Sequence, residues 1–534
     1  MPNLSWERLK SLTGHSRRDL FRRGGLLAAV QALGGGAQKA SATPLDVGPN
    51  LYRSIGVRPI INARGTFTII TGSQTLPEVK RAMDEASRGY VQMDELMEGV
   101  GKRLAEITGA EWGIVTAGCC AALTNCTAAA IAGYNPEKMQ RLPDLRGMKN
   151  EVIIPKYSRN VYDHAIRMVG VKIVEVRDPS ELESAFRDST AMVYILGGPG
   201  DDGPLGTRVL SEVAKRRNVP VIVDAAAEIL TLKPNVHLER GATAVAYSGG
   251  KCIRGPQAAG LLLGEKKWLQ AAWANSAPHH AFGRSLKVGK EEIMGMLAAV
   301  EMWVKRDHKA EWAQWEARLD HVAARVKGID GVAAKIVQPS KDLSNRTPSL
   351  VIEWDGAKLG ITGQEVHKLL GETEPRIILA SGRGRRPDTM ASSVSVVPYM
   401  LMPGEEKVVA DRLYAVLSKP PKFENPSVPQ GEPVAVGGVW DANLEFGRGS
   451  ATHSIQLQQD GSKLEGLYVT DIFGSAPLRG TVAANTVRIQ TSFQIEGQRL
   501  SYTLAGTVDG DKMAGVVNMG EYGETSWIAE RNRH

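Results

Sequence analysis

The stretch from residue 219 to residue 251 reads VPVIVDAAAEILTLKPNVHLERGATAVAYSGGK. It contains two short β-prone runs, Val219 to Asp224 and Ala242 to Tyr247, which are predicted to be strands. The first run ends on an aspartate, and Lys251 follows the second run after three small residues. The stretch therefore predicts an acid and a lysine at the ends of two strands.

The same alternation of β-prone runs and helical stretches extends from about residue 108 to residue 265. It is typical of a mostly parallel sheet covered by helices, so the expected fold class is α/β. The predicted strands are Trp112 to Thr116, Glu151 to Ile154, Lys172 to Val176, Ala191 to Leu196, Val219 to Asp224, Ala242 to Tyr247 and Ala259 to Leu263. The predicted helices are Ala121 to Ala132, Val161 to Val169 and Leu205 to Arg217.

Lys251 and Asp224 are the residues expected to carry chemistry. A lysine at a strand end, after small residues that allow close backbone approach, is suited to form an imine with an aldehyde cofactor. An aspartate 27 residues earlier suits the protonated pyridine nitrogen of pyridoxal 5'-phosphate (PLP). Taken alone, such a lysine is usually a solvated surface group and such an aspartate a helix or turn cap. Together they predict PLP as the cofactor.

A phosphate site is predicted where the strand Trp112 to Thr116 turns into an alanine-rich helix. The turn contains Gly118, Cys119 and Cys120, and the free N–H groups at a helix start attract phosphate. Ser248 is expected to add a hydroxyl to the same phosphate. Many helices begin in this way without binding anything, and the two cysteines are interpreted as small residues at a tight helix start.

Beyond residue 290 the sequence predicts three further segments. Residues 43–290 are assigned to an N-terminal segment and the PLP-binding large domain, and residues 291–418, which begin with a long helix, to a smaller α/β domain. Residues 419–436 are rich in proline and lack periodicity, which is typical of a linker.

Residues 437–534 have a different pattern, in which a three-residue motif recurs: an apolar residue, then any residue, then glycine. The repeats are Leu464-Glu465-Gly466, Leu478-Arg479-Gly480, Leu504-Ala505-Gly506 and Met513-Ala514-Gly515. Each precedes another β-prone run, so an antiparallel meander closing into a small barrel or sandwich is predicted. Such a domain either binds a ligand or only covers part of the enzyme, and the second role is favoured.

Residues 1–42 resemble a twin-arginine export signal. Arg17 and Arg18 precede a weakly apolar stretch and the small-residue segment Ala40-Ser41-Ala42. The order Leu20-Phe21 and the presence of Arg22 depart from the usual pattern, and a basic amphipathic leader is the alternative. The chain is therefore expected to be exported, and its mature form to be periplasmic.

Charge and cysteine content exclude several functions. The formal net charge of +7 falls to +2 without the first 42 residues, which is too little for a large phosphate-binding surface, so no nucleic-acid partner is expected. No run of eighteen apolar residues predicts a membrane span in the mature protein. The four cysteines have no metal-ligand spacing, so no metal site is predicted.

The order of phosphate loop, aspartate and lysine resembles the fold-type I PLP enzymes. More narrowly, the chain from about Leu51 to Leu417 resembles the family of bacterial selenocysteine synthase and the D-glucosaminate-6-phosphate ammonia-lyases. The matching segments are Ile61-Asn62-Ala63-Arg64-Gly65-Thr66, Arg159-Asn160-Val161-Tyr162-Asp163-His164-Ala165, Gly283-Arg284-Ser285-Leu286-Lys287-Val288-Gly289-Lys290-Glu291 and Glu374-Pro375-Arg376-Ile377.

The resemblance implies roles for particular residues. Lys251 would hold PLP and also move the α-proton of the substrate. Arg376 would bind a substrate carboxylate, with a surface ion pair as the alternative. Arg284 and Lys287 would contact phosphate or substrate across a dimer interface, or belong to structural ion pairs. A homodimer or higher homo-oligomer is expected.

The leading functional hypothesis is a PLP-dependent lyase. It would take the α-proton of a small amino acid or amino-sugar acid and expel a β-substituent, as an ammonia-lyase or dehydratase does. A racemase or an aldolase uses the same residues and is the runner-up. A non-catalytic exported binding protein is the alternative from another class. Selenocysteine synthesis on tRNA fits poorly, since the chain has a predicted export signal and a nearly neutral mature charge.

Overall fold

The computed structural model describes residues 45–198, 200–425, 427 and 429–532. These residues fall into two compact units, Val47–Asn425 and a second unit that contains residues 429–532. The predicted export signal lies outside the described residues. In the part of the chain that is described, no helix is long and apolar enough to cross a bilayer, and no cluster of His, Cys, Asp or Glu side chains is arranged to hold a metal ion.

The first unit is built from thirteen described strands and fourteen described α-helices. The strands are β1 (Ile61–Ala63), β2 (Trp112–Thr116), β3 (Glu151–Pro155), β4 (Lys172–Val176), β5 (Thr190–Leu196), β6 (Val221–Asp224), β7 (Ala244–Ser248), β8 (Gly260–Gly264), β9 (Val332–Val337), β10 (Ser349–Asp355), β11 (Ile377–Leu379), β12 (Ser381–Arg385) and β13 (Thr389–Val396). The helices are α1 (Pro77–Ser87), α2 (Met93–Thr108), α3 (Gly118–Ala132), α4 (Pro136–Arg141), α5 (His164–Arg167), α6 (Pro179–Ala185), α7 (Thr207–Arg216), α8 (Val236–Glu239), α9 (Lys266–Ala274), α10 (Lys290–Lys305), α11 (His308–Val326), α12 (Gly356–Leu359), α13 (Gly363–Glu372) and α14 (Glu405–Ser418).

A seven-stranded sheet forms the centre of this unit, in the order β2-β8-β7-β6-β5-β3-β4. Neighbouring strands are parallel except at β8, which runs antiparallel to both β2 and β7. Every residue of β2, β6 and β8 is buried, because helices cover both faces. The mostly parallel α/β sheet predicted from the sequence is thus confirmed.

One predicted helix of this unit is shorter than expected. The sequence predicted a helix from Val161 to Val169, but a 3-10 turn over Val161–Asp163 leads into α5, which has only four residues. The side chain of Asn160 accepts a hydrogen bond from the N–H of Tyr162 and starts the turn. Gly170 has a φ of 101° and redirects the chain into β4.

A smaller α/β region follows the long helix α10. Its antiparallel sheet has the order β12-β13-β10-β9, and a separate pair joins β1 to β11 in parallel. Apolar side chains of α11, α13 and α14 pack against these strands in a core of their own. Since β1 belongs to the N-terminal segment, that segment is part of this core.

The second unit is a closed eight-stranded antiparallel barrel, which confirms the barrel form of the sequence prediction. Its strands are β14 (Gly438–Glu445), β15 (Ser450–Asp460), β16 (Lys463–Thr470), β17 (Gly474–Ala483), β18 (Thr486–Ile495), β19 (Gln498–Asp509), β20 (Lys512–Asn518) and β21 (Glu524–Asn532). Buried and exposed residues alternate along them, because one face of each strand fills the interior.

The glycines of the repeated motif have a structural role in this barrel. They are Gly466, Gly480, Gly506 and Gly515. At each of them a Cβ atom would overlap a carbonyl oxygen of the neighbouring strand. The repeat therefore marks the points where adjacent strands approach too closely for any side chain.

Candidate active site

The predicted cofactor residues meet at one edge of the large sheet. Gly260, at the start of β8, pairs with Thr116 of β2 on one side and with Ser248 of β7 on the other. Asp224, at the end of β6, pairs with Ala246 of β7, two residues before Ser248. This register places the turn after β2, the hydroxyl-bearing end of β7 and the acidic end of β6 along one edge.

The turn after β2 has the features of a phosphate cradle. Gly118 has a φ of 83°, which an L side chain rarely adopts, and a Cβ there would meet no atom within 4 Å. The N-cap residue Ala117 makes no side-chain capping bond, so the first N–H groups of the fifteen-residue helix α3 are available to an anion. Burial raises the pKa of the Cys119 and Cys120 thiols, so both remain neutral and neither is an activated nucleophile.

Asp224 is held in place by three hydrogen-bond donors. Its carboxylate is 3% exposed. The hydroxyl of Tyr194 donates to Oδ2 at 3.0 Å, while the N–H of Ala226 and the thiol of Cys119 donate to Oδ1 at 3.0 Å and 3.4 Å. Burial, and next the charge of Asp224, raise the pKa of Tyr194 well above its usual value, so this hydroxyl stays a donor. The arrangement suits a carboxylate that must face the pyridine nitrogen of PLP.

Lys251 follows β7 on a tightly packed loop. A Cβ on Gly249 would lie 2.8 Å from the carbonyl oxygens of both Ala259 and Pro256, so only glycine fits. The carbonyl of Gly250 accepts a hydrogen bond of 2.9 Å from the N–H of Ser73 in the N-terminal segment. The thiol of Cys119 lies 3.4 Å from Oδ1 of Asp224, and Lys251 comes three residues after Ser248, which pairs with Gly260 at the same edge. The predicted phosphate loop, aspartate and lysine are therefore close together in space.

A cavity of about 410 Å³ opens beside Lys251. Much of its wall is aromatic and comes from Trp303, Trp312, Trp315 and Tyr399. The rings of Trp315 and Tyr399 pack edge to face with their centroids 6.0 Å apart, and the indole N–H of Trp303 donates to a backbone carbonyl at 2.9 Å. The cavity is thus a walled site next to the reactive lysine, which is where a substrate would bind.

Positive charge exceeds negative charge around this cavity. Arg306 is neutralised by a bidentate pair with Glu311, at 2.8 Å and 2.9 Å. Arg254 has no such partner: its Nε donates to the carbonyl of Gln74, and burial together with the nearby Arg306 lowers its pKa. Among the described residues, Arg346 makes no hydrogen bond or ion pair. The cavity therefore favours an anionic group on its ligand.

The predicted substrate residues lie away from this cavity. Arg376 donates from Nε to the carbonyl of Gly371 at 2.8 Å and from Nη1 to that of Arg58 at 3.2 Å, next to the β1–β11 pair. Arg284 and Lys287 are exposed, and in the described part of the chain neither makes a side-chain hydrogen bond or an ion pair. Their roles in substrate binding stay predictions.

A buried ionic cluster that the sequence analysis missed lies behind the site. His237, 1% exposed, stands between Glu228 at 2.6 Å and Asp201 at 3.3 Å, and Arg240 also pairs with Asp201. Glu228 follows Asp224 by four residues, and its backbone carbonyl accepts a hydrogen bond from the thiol of Cys252 at 3.1 Å. The cluster thus fixes the loop after Asp224 against the residue that follows Lys251.

Other functional residues were also missed by sequence reasoning. Tyr194 carried one usable signal, because a phenol in the middle of an apolar strand needs a hydrogen-bond partner. The spacing of Trp303, Trp312 and Trp315 was a second signal, since three large rings on two successive helices are unusual. Arg254 and Arg346 offered none, because both look like surface arginines.

The chain is similar to two known proteins over nearly the whole length of each. The chain is 31% identical over 376 residues to the D-glucosaminate-6-phosphate ammonia lyase of Salmonella typhimurium (strain 14028s / SGSC 2262), covering 68% of this chain and 97% of that protein. It is 29% identical over 387 residues to the 5'-C-glycyluridine monooxygenase-decarboxylase of a Streptomyces species, covering 68% of this chain and 92% of that protein. No protein-family model matches.

The fold is also similar to that of a solved structure of one of these enzymes. The structure of a D-glucosaminate-6-phosphate ammonia-lyase superposes with a TM-score of 0.61 at 29% identity, and covers 69% of this chain and 98% of that one.

Proposed function

Since this chain belongs to the family of D-glucosaminate-6-phosphate ammonia-lyase, and is therefore a PLP-dependent lyase of fold type I, we propose that it takes the α-proton of an amino-acid-like substrate and expels a β-substituent. The proposal depends above all on one observation. Lys251 borders a walled cavity that carries excess positive charge, and it follows the strand that pairs with the end of β6, where Asp224 is buried.

The residues present fit the cofactor. Asp224 would face the pyridine nitrogen, and the start of α3 together with Ser248 would hold the phosphate. When bound, PLP supplies an electron sink for the charge that develops at the substrate α-carbon. Lys251 Nζ is the base that removes the α-proton, since it is the described amine that lines the cavity. The aromatic wall would exclude water from the reacting carbon.

The substrate is a small amino acid or amino-sugar acid with a carboxylate. Arg254 and Arg346 are proposed to bind that carboxylate, because both border the cavity and no acidic side chain among the described residues pairs with either. A planar guanidinium matches a carboxylate with two parallel hydrogen bonds. Arg376, whose Nε and Nη1 already donate to backbone carbonyls, becomes the weaker candidate.

The test is a turnover assay on purified protein reconstituted with PLP. Amino-sugar acids, their phosphates and β-substituted amino acids are supplied, and the products are identified. Ammonia with a 2-keto acid supports the proposal. An inverted α-carbon would indicate a racemase, an aldehyde an aldolase, and oxygen-dependent release of CO₂ an activity like that of the Streptomyces relative.

Two variants separate catalysis from folding in this assay. Lys251→Ala is expected to abolish turnover and the visible absorption band of the lysine-bound cofactor, whereas Lys267→Ala, at an exposed lysine, should change neither. Turnover of no substrate by a wild-type protein that has this band would favour the non-catalytic binding protein.

The site is also proposed to be completed in a homodimer and to work after export. The family resemblance supports the dimer, and the exposed Arg284 and Lys287 would lie at its interface. The N-terminal sequence supports twin-arginine export to the periplasm. Light scattering of the purified protein measures its oligomeric state. Fractionation of cells that express an Arg17→Lys, Arg18→Lys variant measures whether export to the periplasm depends on the two arginines. A monomer, or an unchanged periplasmic yield, would contradict the respective proposal.

A further inference from the structure

In the C-terminal barrel the neighbouring strands β17 and β18 separate at one end. These strands pair from Ala483↔Thr486 to Leu478↔Thr491 and no further. Beyond that point β17 continues to pair with β16, and β18 continues to pair with β19. The Thr491 hydroxyl donates to the Pro477 carbonyl at 3.0 Å where the strands separate. A groove of about 600 Å³ lies at this opening.

The groove is cationic and rich in hydrogen-bonding groups. Arg479 and Arg499 line it together with a set of uncharged polar side chains, Gln490, Ser492, Ser501 and Thr503. No acidic residue is among the described residues that line it. Glu465 lies opposite Arg479 on β16, but no ion pair joins the two within the part of the chain described. Among the described residues neither guanidinium therefore has a carboxylate partner, and Arg499 donates to the hydroxyl of Ser492.

The inner side of the groove is formed by a rigid aromatic cluster. Tyr502 lines the groove and is 8% exposed. Its ring stacks on Tyr468 with centroids 5.8 Å apart and an angle of 17°, and the Tyr468 hydroxyl is hydrogen-bonded to His453 Nδ1 at 2.8 Å. Among the described residues the Tyr502 hydroxyl has no hydrogen-bond partner. Along β19 Tyr502 alternates with Arg499, Ser501 and Thr503, so its ring belongs to the barrel interior and closes the inner side of the groove.

We propose that this groove binds an acidic carbohydrate, through the carboxylate of a hexuronic acid unit. Guanidinium groups bind carboxylates with strong, charge-assisted hydrogen bonds. The amide and hydroxyl side chains between Arg479 and Arg499 match the hydroxyls of a sugar, and the exposed ring of Pro477 accepts its C–H face. The barrel would then be a binding module with its own ligand, a role that does not depend on the reaction at Lys251.

The test is calorimetric titration of the full-length, PLP-loaded protein with four probes. D-glucuronate and a short oligogalacturonate carry both features, D-glucose lacks the carboxylate, and inorganic phosphate lacks the sugar. Binding of the two acidic sugars, with glucose and phosphate at least ~10-fold weaker, is expected. Equal binding of glucose would refute the role of charge, and equal binding of phosphate would refute the role of the sugar.

Matched variants assign the binding to the groove. Arg479→Gln with Arg499→Gln is expected to weaken glucuronate binding at least ~10-fold, because two charge-assisted contacts are lost. Arg488→Gln removes an exposed arginine of β18 outside the groove and should leave binding unchanged. Unchanged affinity in the double variant, with folding verified by circular dichroism, would overturn the proposal.

Discussion

Replacement of His237 by glutamine should destabilise the first unit in a pH-dependent manner. Burial alone would lower the pKa of His237, but its contacts with Asp201 and Glu228 and the charges of these carboxylates raise it from 6.5 to about 9. At about 1.4 kcal/mol per pH unit, this difference corresponds to about 3 kcal/mol of folding free energy. His237→Gln removes that contribution and leaves two carboxylates close together in the interior.

The sign of the pH dependence follows from the raised pKa. The stabilisation from the His237 proton is complete below pH 6.5, the ordinary pKa, and is lost as the pH rises through about 9. The difference in free energy of unfolding between wild type and variant should therefore be about 3 kcal/mol at pH 6 and much smaller at pH 10.

The assay must report on this unit alone, because a chain with two units does not unfold in one step. All four cysteines belong to the first unit, and Cys126 is fully buried. Alkylation of Cys126 in increasing urea, read by peptide mass spectrometry, gives the free energy of opening of this unit. His321→Gln, at an exposed histidine, is the control. An equal loss of stability at pH 6 and pH 10 would show that the charge of His237 does not contribute.

Three further substitutions test the site. Tyr194→Phe removes the hydroxyl that donates to Asp224, and a hydrogen bond to a charged group contributes ~1.5–3 kcal/mol. The dissociation constant of PLP, measured by equilibrium dialysis, should therefore rise at least ~10-fold. Tyr90→Phe, at a fully exposed ring, is the control, and unchanged PLP retention would refute the role of Tyr194. Gly260→Ala would bring a methyl group to 2.5 Å from the Gly118 carbonyl carbon, so the free energy of unfolding of the first unit in urea should fall by ~1–3 kcal/mol. Gly89→Ala adds a methyl group in open space and should be tolerated. Glu311→Gln leaves Arg306 without its carboxylate partner, so an unreactive carboxylate analogue of the substrate should bind the cavity more tightly. A tryptophan-fluorescence titration measures this affinity, and Asp320→Asn, at an exposed residue, should not change it. Weaker binding in Glu311→Gln would mean that the pair with Arg306 shapes the cavity rather than limits its charge.

The sequence predicted those parts of the site that depend on local pattern. The apolar run before Asp224 and the small residues before Lys251 determine where strands end, so both residues were identified at the sheet edge without knowledge of the fold. The same holds for Gly118, because the abrupt turn from β2 into α3 uses a φ of 83° that glycine adopts readily.

The parts that the sequence did not predict depend on contacts between distant residues. Tyr194 reaches Asp224 across 30 positions and Arg240 reaches Asp201 across 39, and no spacing rule relates such pairs. Arg376 was interpreted as a carboxylate ligand from its type and motif. Its guanidinium instead donates to two backbone carbonyls, that of Gly371, five residues earlier, and that of Arg58, which only the pairing of β1 with β11 brings near it.

The pairing of β2 with β8 also has a consequence for the order of folding. Thr116 and its partner Gly260 are 144 residues apart, whereas β8 follows β7 closely and pairs with it as a local hairpin. Closing a loop of that length costs conformational entropy before any contact rewards it, so non-local pairing of this kind is slow. In the native structure twelve of the fifteen residues of α3 are buried. Until β2 pairs with β8, this helix has no complete surface to pack against. We therefore expect the phosphate cradle to be completed only after β8 has joined the sheet beside β2, and cofactor capture to follow that step.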